Sequence, residues 1–358
     1  MTGQGRIVPG GARDIAWRQQ IGTVTSCWAA LAAVAVIVAL MLLPAYASRG
    51  LIQDLIFVLV MLTLAQLWNL IAGWGGLISV GQQAFVGLGA YGLFAATVLA
   101  GLDPLSAILL SGLLTALVAA LVGPLLFRLE GPYFAIGSWV IAESFRLLCA
   151  QFKPLGGGTG MSLPNAVVAD MAGLSFVQQL LALRPAAARD VMVYWLILLV
   201  MVIVTAAIYL FVRSRYGLAV VAARDAHGAA RSVGIRTERI RYTLWIAVGF
   251  ATGVVGAIAY LQKARISPDA AFSVVDWTAY VLFIVIIGGV RTLEGPIVGV
   301  LVFWALLYYL AQFGSLYLLT LGVLAIGTML FAPKGLWGTV AARFGWQLFP
   351  LRRLLLRR

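Results

Sequence analysis

The sequence predicts an all-α polytopic bundle of about ten transmembrane helices with both termini in the cytoplasm. Only 10% of the 358 residues are charged, whereas soluble domains carry about 25%, and the mean hydropathy is +1.02. Uncharged apolar runs of the roughly 20 residues that a helix needs to cross the hydrocarbon core recur along the chain. Because lipid cannot satisfy backbone polar groups, such runs must form helices. The alternating runs of about ten residues that build a β-barrel are absent.

Ten apolar runs account for the predicted spans. Five of them are free of charged residues and long enough to cross the membrane: 24–43, 84–102, 105–127, 191–212 and 242–262. The other five carry a charge, a glycine pair or a proline at an edge: 51–72, 133–150, 277–290, 295–312 and 315–333. We therefore expect a cytoplasmic tail at 1–23, a transmembrane domain at 24–333 and a basic cytoplasmic tail at 334–358.

The first apolar run has a second interpretation. Three arginines precede it and Ala45, Tyr46 and Ala47 follow it, which together resemble a signal peptide with an A-x-A cleavage site. The run itself is as long as a membrane span, whereas the apolar region of a signal peptide has about 7 to 15 residues. We therefore expect the run to be retained as a span.

The positions of the basic residues set the orientation of the bundle. With the N-terminus inside, 18 of the 25 Lys and Arg residues lie in cytoplasmic segments and six in outside segments, while Arg146 lies within a span. Cytoplasmic loops carry the excess of Lys and Arg in membrane proteins. Loop 151–190 is therefore predicted outside and loop 213–241 inside. The net charge of +13 is spread over many loops, which indicates contact with anionic membrane lipid and not with nucleic acid.

Two Gly-rich segments, 73–92 and 287–299, interrupt the helical runs. Each contains a Gly-Gly pair, then a hydroxyl residue and another glycine before an apolar helix. Broken helices at corresponding positions of two halves line the substrate path in many transporters. This interpretation gives six candidate path residues: Ser79, Gln82, Gln83, Gly288, Gly289 and Thr292. Of these, Ser79, Gln82 and Gln83 are expected to face a cavity. Close helix packing through glycine is an equally open alternative.

Catalytic and metal-binding sets are missing from the sequence. GLGAYG at 87–92 matches the GxGxxG spacing of dinucleotide-binding proteins, but it lies within an apolar run and not between a strand and a helix. No GxxxxGK[ST] phosphate-binding loop occurs. One His and two Cys, Cys27 and Cys149, supply neither a catalytic triad nor a metal site. We therefore expect no enzyme activity, no cofactor and no metal in this chain.

Two opposite charges lie within one predicted span. Glu143 and Arg146 are three residues apart on one helix face, where they can neutralise each other. Pairing reduces the cost of about 2.5 to 3.5 kcal/mol for each charge in lipid. We expect a structural ion pair that faces the bundle, and a role in the transport path is the alternative.

The segment 222–235, AARDAHGAARSVGI, is polar and rich in small residues. On a helix, the small and apolar residues of this region share one face: Leu218, Ala222, Ala226, Ala229 and Val233. The polar residues lie opposite: Arg224, His227 and Arg231. Gly234 is placed to end the helix. Such an alanine face anchors weakly in lipid but lets another surface come close.

This segment resembles the cytoplasmic E-A-A-x-x-x-G loop of the permease subunits of bacterial ABC importers, in particular those of the branched-chain amino acid (leucine, isoleucine, valine) system. Ala229, Ala230 and Gly234 match the motif, while Gly228 stands at the Glu position. Five further segments resemble the same family: WNLIAGWGGLISVGQQAFVGLGAYG, RLEGPYFAIGSWVIAESFRLL, GGTGMSLPN, IGGVRTLEGPIVGV and LFAPKGLWG. The resemblance covers most of the chain beyond residue 50.

The resemblance implies a multi-pass protein of the bacterial inner membrane that forms the translocation path for branched-chain or similar apolar amino acids. It implies as partners a second homologous permease, two cytoplasmic ATPase subunits that bind the ATP, and a periplasmic solute-binding protein. It also implies a coupling helix that docks on the ATPase: Arg224, Asp225, His227, Ala229, Ala230, Arg231 and Gly234. Related permeases also carry urea, short amides and other small organic acids, which are the alternative cargo.

Three other classes of membrane protein are the alternatives to an importer. An ion-coupled secondary transporter is expected to place carboxylates at its broken helices, yet 73–92 has none and the second segment has only Glu294. A membrane-embedded enzyme lacks its catalytic set here. A structural scaffold has no need of two broken helices, so the importer is preferred.

Overall fold

A computed structural model of the chain describes residues 17–20, 24–169, 171–225, 236–314, 316–344 and 354–357. The described residues form a helical bundle, and its α-helices are, in chain order, α1 Val24–Leu42, α2 Arg49–Trp68, α3 Gln82–Phe94, α4 Pro104–Leu126, α5 Pro132–Gln151, α6 Asn165–Ala169, α7 Leu174–Leu181, α8 Pro185–Arg213, α9 Arg215–Asp225, α10 Thr237–Lys263, α11 Pro268–Ala271, α12 Tyr280–Gly288, α13 Glu294–Leu310, α14 Leu316–Phe331 and α15 Gly335–Phe344. Short 3₁₀ turns lie between them: Leu43–Ala45, Lys153–Leu155, Gly157–Thr159 and Ala311–Phe313.

Strands and π-helical turns are short additions to this bundle. The strands are β1 Trp17–Gln20, β2 Met161–Ser162, β3 Arg265–Ile266 and β4 Leu354–Arg357. Strand β1 pairs antiparallel with β4, and β2 pairs antiparallel with β3. The π-helical turns are Asn69–Trp74 after α2, Ala95–Leu99 after α3 and Val275–Ala279 before α12.

Eight helical segments of the described chain are long and apolar enough to cross a membrane: Arg49–Trp74, Gln82–Leu99, Pro104–Leu126, Pro132–Gln151, Pro185–Arg213, Thr237–Lys263, Pro268–Gly288 and Leu316–Arg343. Two further apolar helices are shorter, Leu31–Ala45 and Glu294–Leu310. Each of these ten segments overlaps one predicted run. The prediction of an all-α polytopic bundle is confirmed, whereas the number of spans and the location of the termini stay predictions.

Local sequence signals place the starts of several helices. The Ser48 Oγ accepts a hydrogen bond from the Leu51 N–H at 3.4 Å at the start of α2, and the Asp103 carboxylate accepts from the Leu105 N–H at 2.9 Å at the start of α4. Such caps satisfy N–H groups that have no partner within the helix. Proline occupies the first position of α4, α5 and α8, where its missing N–H costs nothing.

The core of the bundle is built around α3, which is buried along its whole length. Small residues allow α3 and α10 to pack closely, because a Cβ on Gly89 would collide with the backbone carbonyl of Gly253. In contrast, the outer helix α5 buries only Phe134, Ser138 and Ala142. Most of the apolar surface of α5 therefore faces outward, as a lipid-facing helix requires.

The connecting segments of the bundle meet in two separate groups. In the first group, the Asp103 carboxylate accepts a hydrogen bond from the Ala172 N–H at 2.8 Å, and Arg49 forms an ion pair with Asp190 at 2.7 Å. The β2–β3 pair joins 161–162 to 265–266 in the same group. The sequence predicts that all of these segments lie outside or at the outer ends of spans.

The second group contains the segments that the sequence assigns to the cytoplasm. The Arg224 Nη1 donates to the Gly73 carbonyl at 2.6 Å, and a Cβ on Gly73 would lie 3.3 Å from the Arg291 side chain. Gly335, at the start of α15, lies directly against the backbone of Gly289. The two groups agree with the predicted alternation of the spans. Which group faces the cytoplasm stays a prediction from the basic residues.

Candidate functional site at two broken helices

The first break separates α2 from α3 over residues 75–81. Gly76 has a φ of +72°, a conformation that residues with a Cβ rarely adopt, so the sharp change of direction depends on glycine. The Trp68 indole N–H donates to the Ser79 carbonyl at 2.8 Å, and the Ser79 Oγ accepts from the Gly81 N–H at 3.2 Å. These bonds satisfy backbone groups that lipid could not satisfy.

The second break separates α12 from α13 over residues 289–293, as the Gly-Gly pair predicts. The Thr292 hydroxyl donates to the Gly289 carbonyl at 3.0 Å and accepts from the Gly295 N–H, also at 3.0 Å. Thr292 therefore closes the turn through both functions of its hydroxyl group. Gly288 lies directly against the carbonyl of Gly295, where a Cβ would collide. This glycine lets α12 and α13 approach each other closely.

The two breaks are adjacent, because side chains near the end of α2 hold the backbone of the second break. The Gln66 Nε2 donates to the Leu293 carbonyl at 2.7 Å. One turn further, the Asn69 Nδ2 donates to the Thr292 carbonyl at 2.9 Å, while its Oδ1 accepts from the Arg291 N–H at 2.9 Å. The sequence analysis missed Gln66 and Asn69. Two amides three residues apart within an apolar run were the available signal, since polar groups inside a membrane need partners.

The predicted path residues at the first break and at the start of α3 are packed between helices. Ser79 is 4% exposed, Gln82 6% and Gln83 1%. The Gln82 Nε2 donates to the Leu64 carbonyl at 3.0 Å, and the Thr278 hydroxyl donates to the Gln83 side-chain oxygen. A path along these residues therefore requires the helices to separate.

A small cavity lies beside the start of α3. Its volume is about 10 Å³, which is room for one water molecule. Gly81, Phe85, Ser138 and Trp245 are among its lining residues. Such a cavity is far too small to hold an amino acid.

The described part of the predicted coupling segment ends at Asp225. Five of its residues lie outside the described residues: His227, Ala229, Ala230, Arg231 and Gly234. The Arg224 side chain is 16% exposed and is directed at the first break, whereas Asp225 is 59% exposed. Nε and Nη2 of Arg224 both donate to Asp225 Oδ1, at 2.8 and 2.6 Å. The geometry thus assigns Arg224 a contact within this chain.

The two charged residues of α5 form a group of three with Asp269 of α11. Arg146 lies 2.6 Å from a carboxylate oxygen of Glu143 and 2.6 Å from one of Asp269. The Glu143 side chain is 39% exposed and that of Asp269 is 81% exposed. The group therefore lies at the surface of the bundle toward the C-terminal end of α5, and not facing the interior as the sequence predicts. The third member, Asp269, is 123 residues from Arg146, which local spacing does not reveal.

Comparison with known proteins identifies the family. Residues 50–332 match the family described as branched-chain amino acid transport system / permease component. The chain belongs to this family. The match covers both breaks and the segment 222–235, so the resemblance read from the motifs is confirmed.

Two relatives of this permease are high-affinity branched-chain amino acid transport system permease proteins named LivM. The permease is 26% identical over 314 residues to LivM of Escherichia coli (strain K12), which covers 85% of this chain and 73% of the relative. It is 25% identical over 304 residues to LivM of Salmonella typhimurium (strain LT2), which covers 82% of this chain and 71% of the relative. No solved structure matches the permease.

At the opposite end of the permease, a buried carboxylate joins α2 to α8. Asp190 is 1% exposed and forms ion pairs with Arg49 at 2.7 Å and with Arg189 at 3.2 Å. It also accepts a hydrogen bond from the Gln53 Nε2 at 2.9 Å. A buried carboxylate with two cationic partners is a structural link. It joins the N-terminal ends of α2 and α8, and the C-terminal ends of these helices lead to the first break and to α9.

Proposed function

We propose that this permease is a membrane subunit of an ATP-driven ABC importer and forms a translocation path for branched-chain or similar apolar amino acids. The family match over residues 50–332 carries the proposal. The named relatives belong to a high-affinity branched-chain amino acid transport system, which supports the class of cargo. A multi-pass protein of this family belongs in the bacterial inner membrane.

The importer has further subunits in this proposal. A second homologous permease completes the path, a periplasmic solute-binding protein delivers the cargo, and two cytoplasmic ATPases bind and hydrolyse ATP. This chain has no GxxxxGK[ST] loop of its own, so the nucleotide chemistry is assigned to the partners. The small-residue segment 222–235 is the part of this chain that docks on an ATPase in this proposal.

The path in this proposal runs along the two adjacent breaks. Gln66 at the end of α2 and Asn69 directly after it hold the second break. Gln83 and Thr278 join α3 to the turn before α12. A change in the relative position of α2, α3 and α12 would expose these amides and hydroxyls to a solute. An ATPase can drive such a change only by binding one arrangement of the helices better than the other.

The chemistry of the breaks favours ATP over an ion gradient as the source of energy. Coupling ions are bound by carboxylates and carbonyls at the broken helices of many secondary transporters. The polar side chains described here are mainly amides and hydroxyls, and Glu294 is the one carboxylate within the described residues of 73–92 and 287–299. This composition supports a path whose opening is driven by partner subunits.

Purification of the complex tests the proposal. The permease, carrying an affinity tag, is purified from membranes in detergent, and the bound chains are identified by mass spectrometry. We expect two ATPase subunits and a second permease for each tagged chain. Recovery of the tagged chain without ATPase subunits, from membranes that take up the solute, would contradict the proposal.

A binding assay with the solute-binding protein defines the cargo. Leu, Ile, Val, urea and an aromatic acid are compared by calorimetry. We expect the tightest binding for the branched-chain amino acids. Tighter binding of urea or an amide would leave the proposal of an ATP-driven importer standing and would change the proposed cargo.

A further inference from the structure

Arg224 connects the end of α9 to the first break. Its Nη1 donates to the Gly73 carbonyl at 2.6 Å, across 151 residues of sequence. The guanidinium is held in place by Asp225, whose Oδ1 accepts from Nε at 2.8 Å and from Nη2 at 2.6 Å. One planar group therefore holds a backbone carbonyl of the turn that leads into the break and a carboxylate of α9 at the same time, which the fork of donors in arginine permits.

The break is shaped to receive this side chain. The Gly73 carbonyl belongs to the last turn of the helix that ends at the break, where carbonyls lack partners within the helix and the helix dipole favours a cation. The stem of Arg224 lies across Gly76, since a Cβ there would be 2.6 Å from the Arg224 Cγ. Gly76 thus has two reasons to be glycine: its φ of +72° and the contact with Arg224.

The same end of α9 is tied to the next span. The Arg241 Nη2 donates to the Ala223 carbonyl at 3.2 Å, which joins the first turns of α10 to the last turn of α9. The last described residue of α9, Asp225, directly precedes the segment 226–235. A displacement of this end of α9 therefore acts on two attachments, the bond of Arg224 to Gly73 and the bond of Ala223 to Arg241.

We propose that Arg224 is a positioning residue that transmits movement of the end of α9 to the first break through its bond to the Gly73 carbonyl. This inference rests on the proposed function. Docking of an ATPase displaces the end of α9. Because the guanidinium holds Gly73, the turn before α3 moves with α9, and the packing of α3 against α2 changes. Arg224 acts through the backbone of the break and has no contact with the solute.

A purely structural role for Arg224 makes a different prediction. A residue that only caps the helix stabilises the break equally in all states of the transport cycle. A transmitting residue makes the exposure of the break depend on the nucleotide state of the ATPases. The decisive readout is therefore the response of the break to nucleotide, and not the stability of the protein.

The exposed residue Ile78 provides a probe within the first break, since it is 58% exposed. Ile78→Cys is introduced into a chain in which Cys27 and Cys149 are replaced by Ala. The rate of alkylation by a maleimide is measured in the reconstituted importer, without nucleotide and after trapping with ATP and vanadate. This pair of rates is compared between chains with Arg224, Arg224→Gln and Arg224→Lys. Arg215→Gln is the matched control, because Arg215 is an exposed arginine of the same helix that stacks on Tyr216.

With Arg224 and with Arg215→Gln, we expect trapping to change the alkylation rate. Arg224→Gln is expected to abolish that change and to lower the amount of solute carried per ATP roughly tenfold, the effect of losing one charged hydrogen bond in one state. Arg224→Lys, which keeps the charge but not the fork, is expected to restore part of the response. If Arg224→Gln prevents assembly of the importer, Asp225→Asn and Arg224→Lys are tested instead. Their nucleotide-dependent change in alkylation and their amount of solute carried per ATP are then measured.

The inference is overturned when the assembled variants keep the nucleotide-dependent change in alkylation and the normal amount of solute per ATP. The proposed function fails in a different way. In that case the complex with native Arg224 shows no uptake that depends on ATP, whatever the alkylation rates are.

Discussion

The side chain of Asn69 is hydrogen-bonded to the backbone carbonyl of Thr292, which lies 223 residues further along the chain. The Asn69 Nδ2 donates to this carbonyl at 2.9 Å, and the Oδ1 of the same amide accepts from the Arg291 N–H. One side chain therefore satisfies a donor and an acceptor of the second break from the π-helical turn that follows α2. The two broken helices form a single structural unit, and they are expected to respond together.

Replacement of Asn69 by Leu is expected to destabilise the bundle. The variant leaves a backbone N–H and a backbone C=O of the second break without their partner, and an unsatisfied buried group costs about 1 to 3 kcal/mol. The measurement is the thermal unfolding midpoint of the purified protein in detergent. Gln312→Leu is the control, because Gln312 is exposed and its side chain donates to the nearby Tyr309 carbonyl. Equal midpoints for the two variants would contradict the role assigned to Asn69.

Replacement of Gln82 and Gln83 by Leu is expected to reduce uptake more than it reduces the amount of assembled complex. Leucine fills similar space but removes the amides that a solute would meet when the helices separate. Thr278→Val is expected to act in the same direction as Gln83→Leu, since the Thr278 hydroxyl donates to the Gln83 side chain. Initial uptake rates are divided by the amount of permease in the membrane, with the exposed Gln151→Leu as control. Unchanged uptake would contradict a path along these residues and would indicate that the partner permease forms it.

Much of the fold was predictable because the membrane imposes a simple rule on sequence. Runs of about 20 apolar residues must be helices, and a Gly-Gly pair within such a region marks a break. The positions of both breaks follow from this rule. Their contacts do not, since Asn69 bonds to Thr292 and Arg224 bonds to Gly73 across more than 150 residues. Hydropathy also gives no sign that Asp269 joins Arg146, because that pair depends on how α5 packs against α11.

The topology predicted from the basic residues places Ser162 outside the cytoplasm. Ser162 is exposed in the short strand β2, so a cysteine there is accessible. In a chain without Cys27 and Cys149, we expect Ser162→Cys to react with a membrane-impermeant maleimide in spheroplasts. Arg215→Cys, on the predicted cytoplasmic side, is expected to react only after permeabilisation. The reverse labelling pattern would contradict the predicted topology and would place Ser162 in the cytoplasm.

Larger side chains in the segment 226–235 are expected to weaken the coupling between the permease and its ATPases more than the loss of a polar side chain does. These residues lie outside the described residues, and the prediction rests on their small size, which would let an ATPase close around the segment. Ala229→Trp and Gly234→Val are expected to abolish the stimulation of ATP hydrolysis by the solute-binding protein, while the permease still inserts. His227→Ala is expected to have a mild effect. Full stimulation in both bulky variants would make the segment an ordinary surface loop.

Uptake by the purified complex in proteoliposomes tests the ATP-driven importer most directly. The permease, its partner permease and the two ATPases are reconstituted with the ATPases facing the lumen, which is loaded with ATP, and the binding protein with labelled leucine is added outside. We predict accumulation that requires hydrolysable ATP and the binding protein, and that persists when ionophores collapse all ion gradients. Accumulation that continues without ATP and stops when an ion gradient is collapsed would contradict the account and identify an ion-coupled transporter instead.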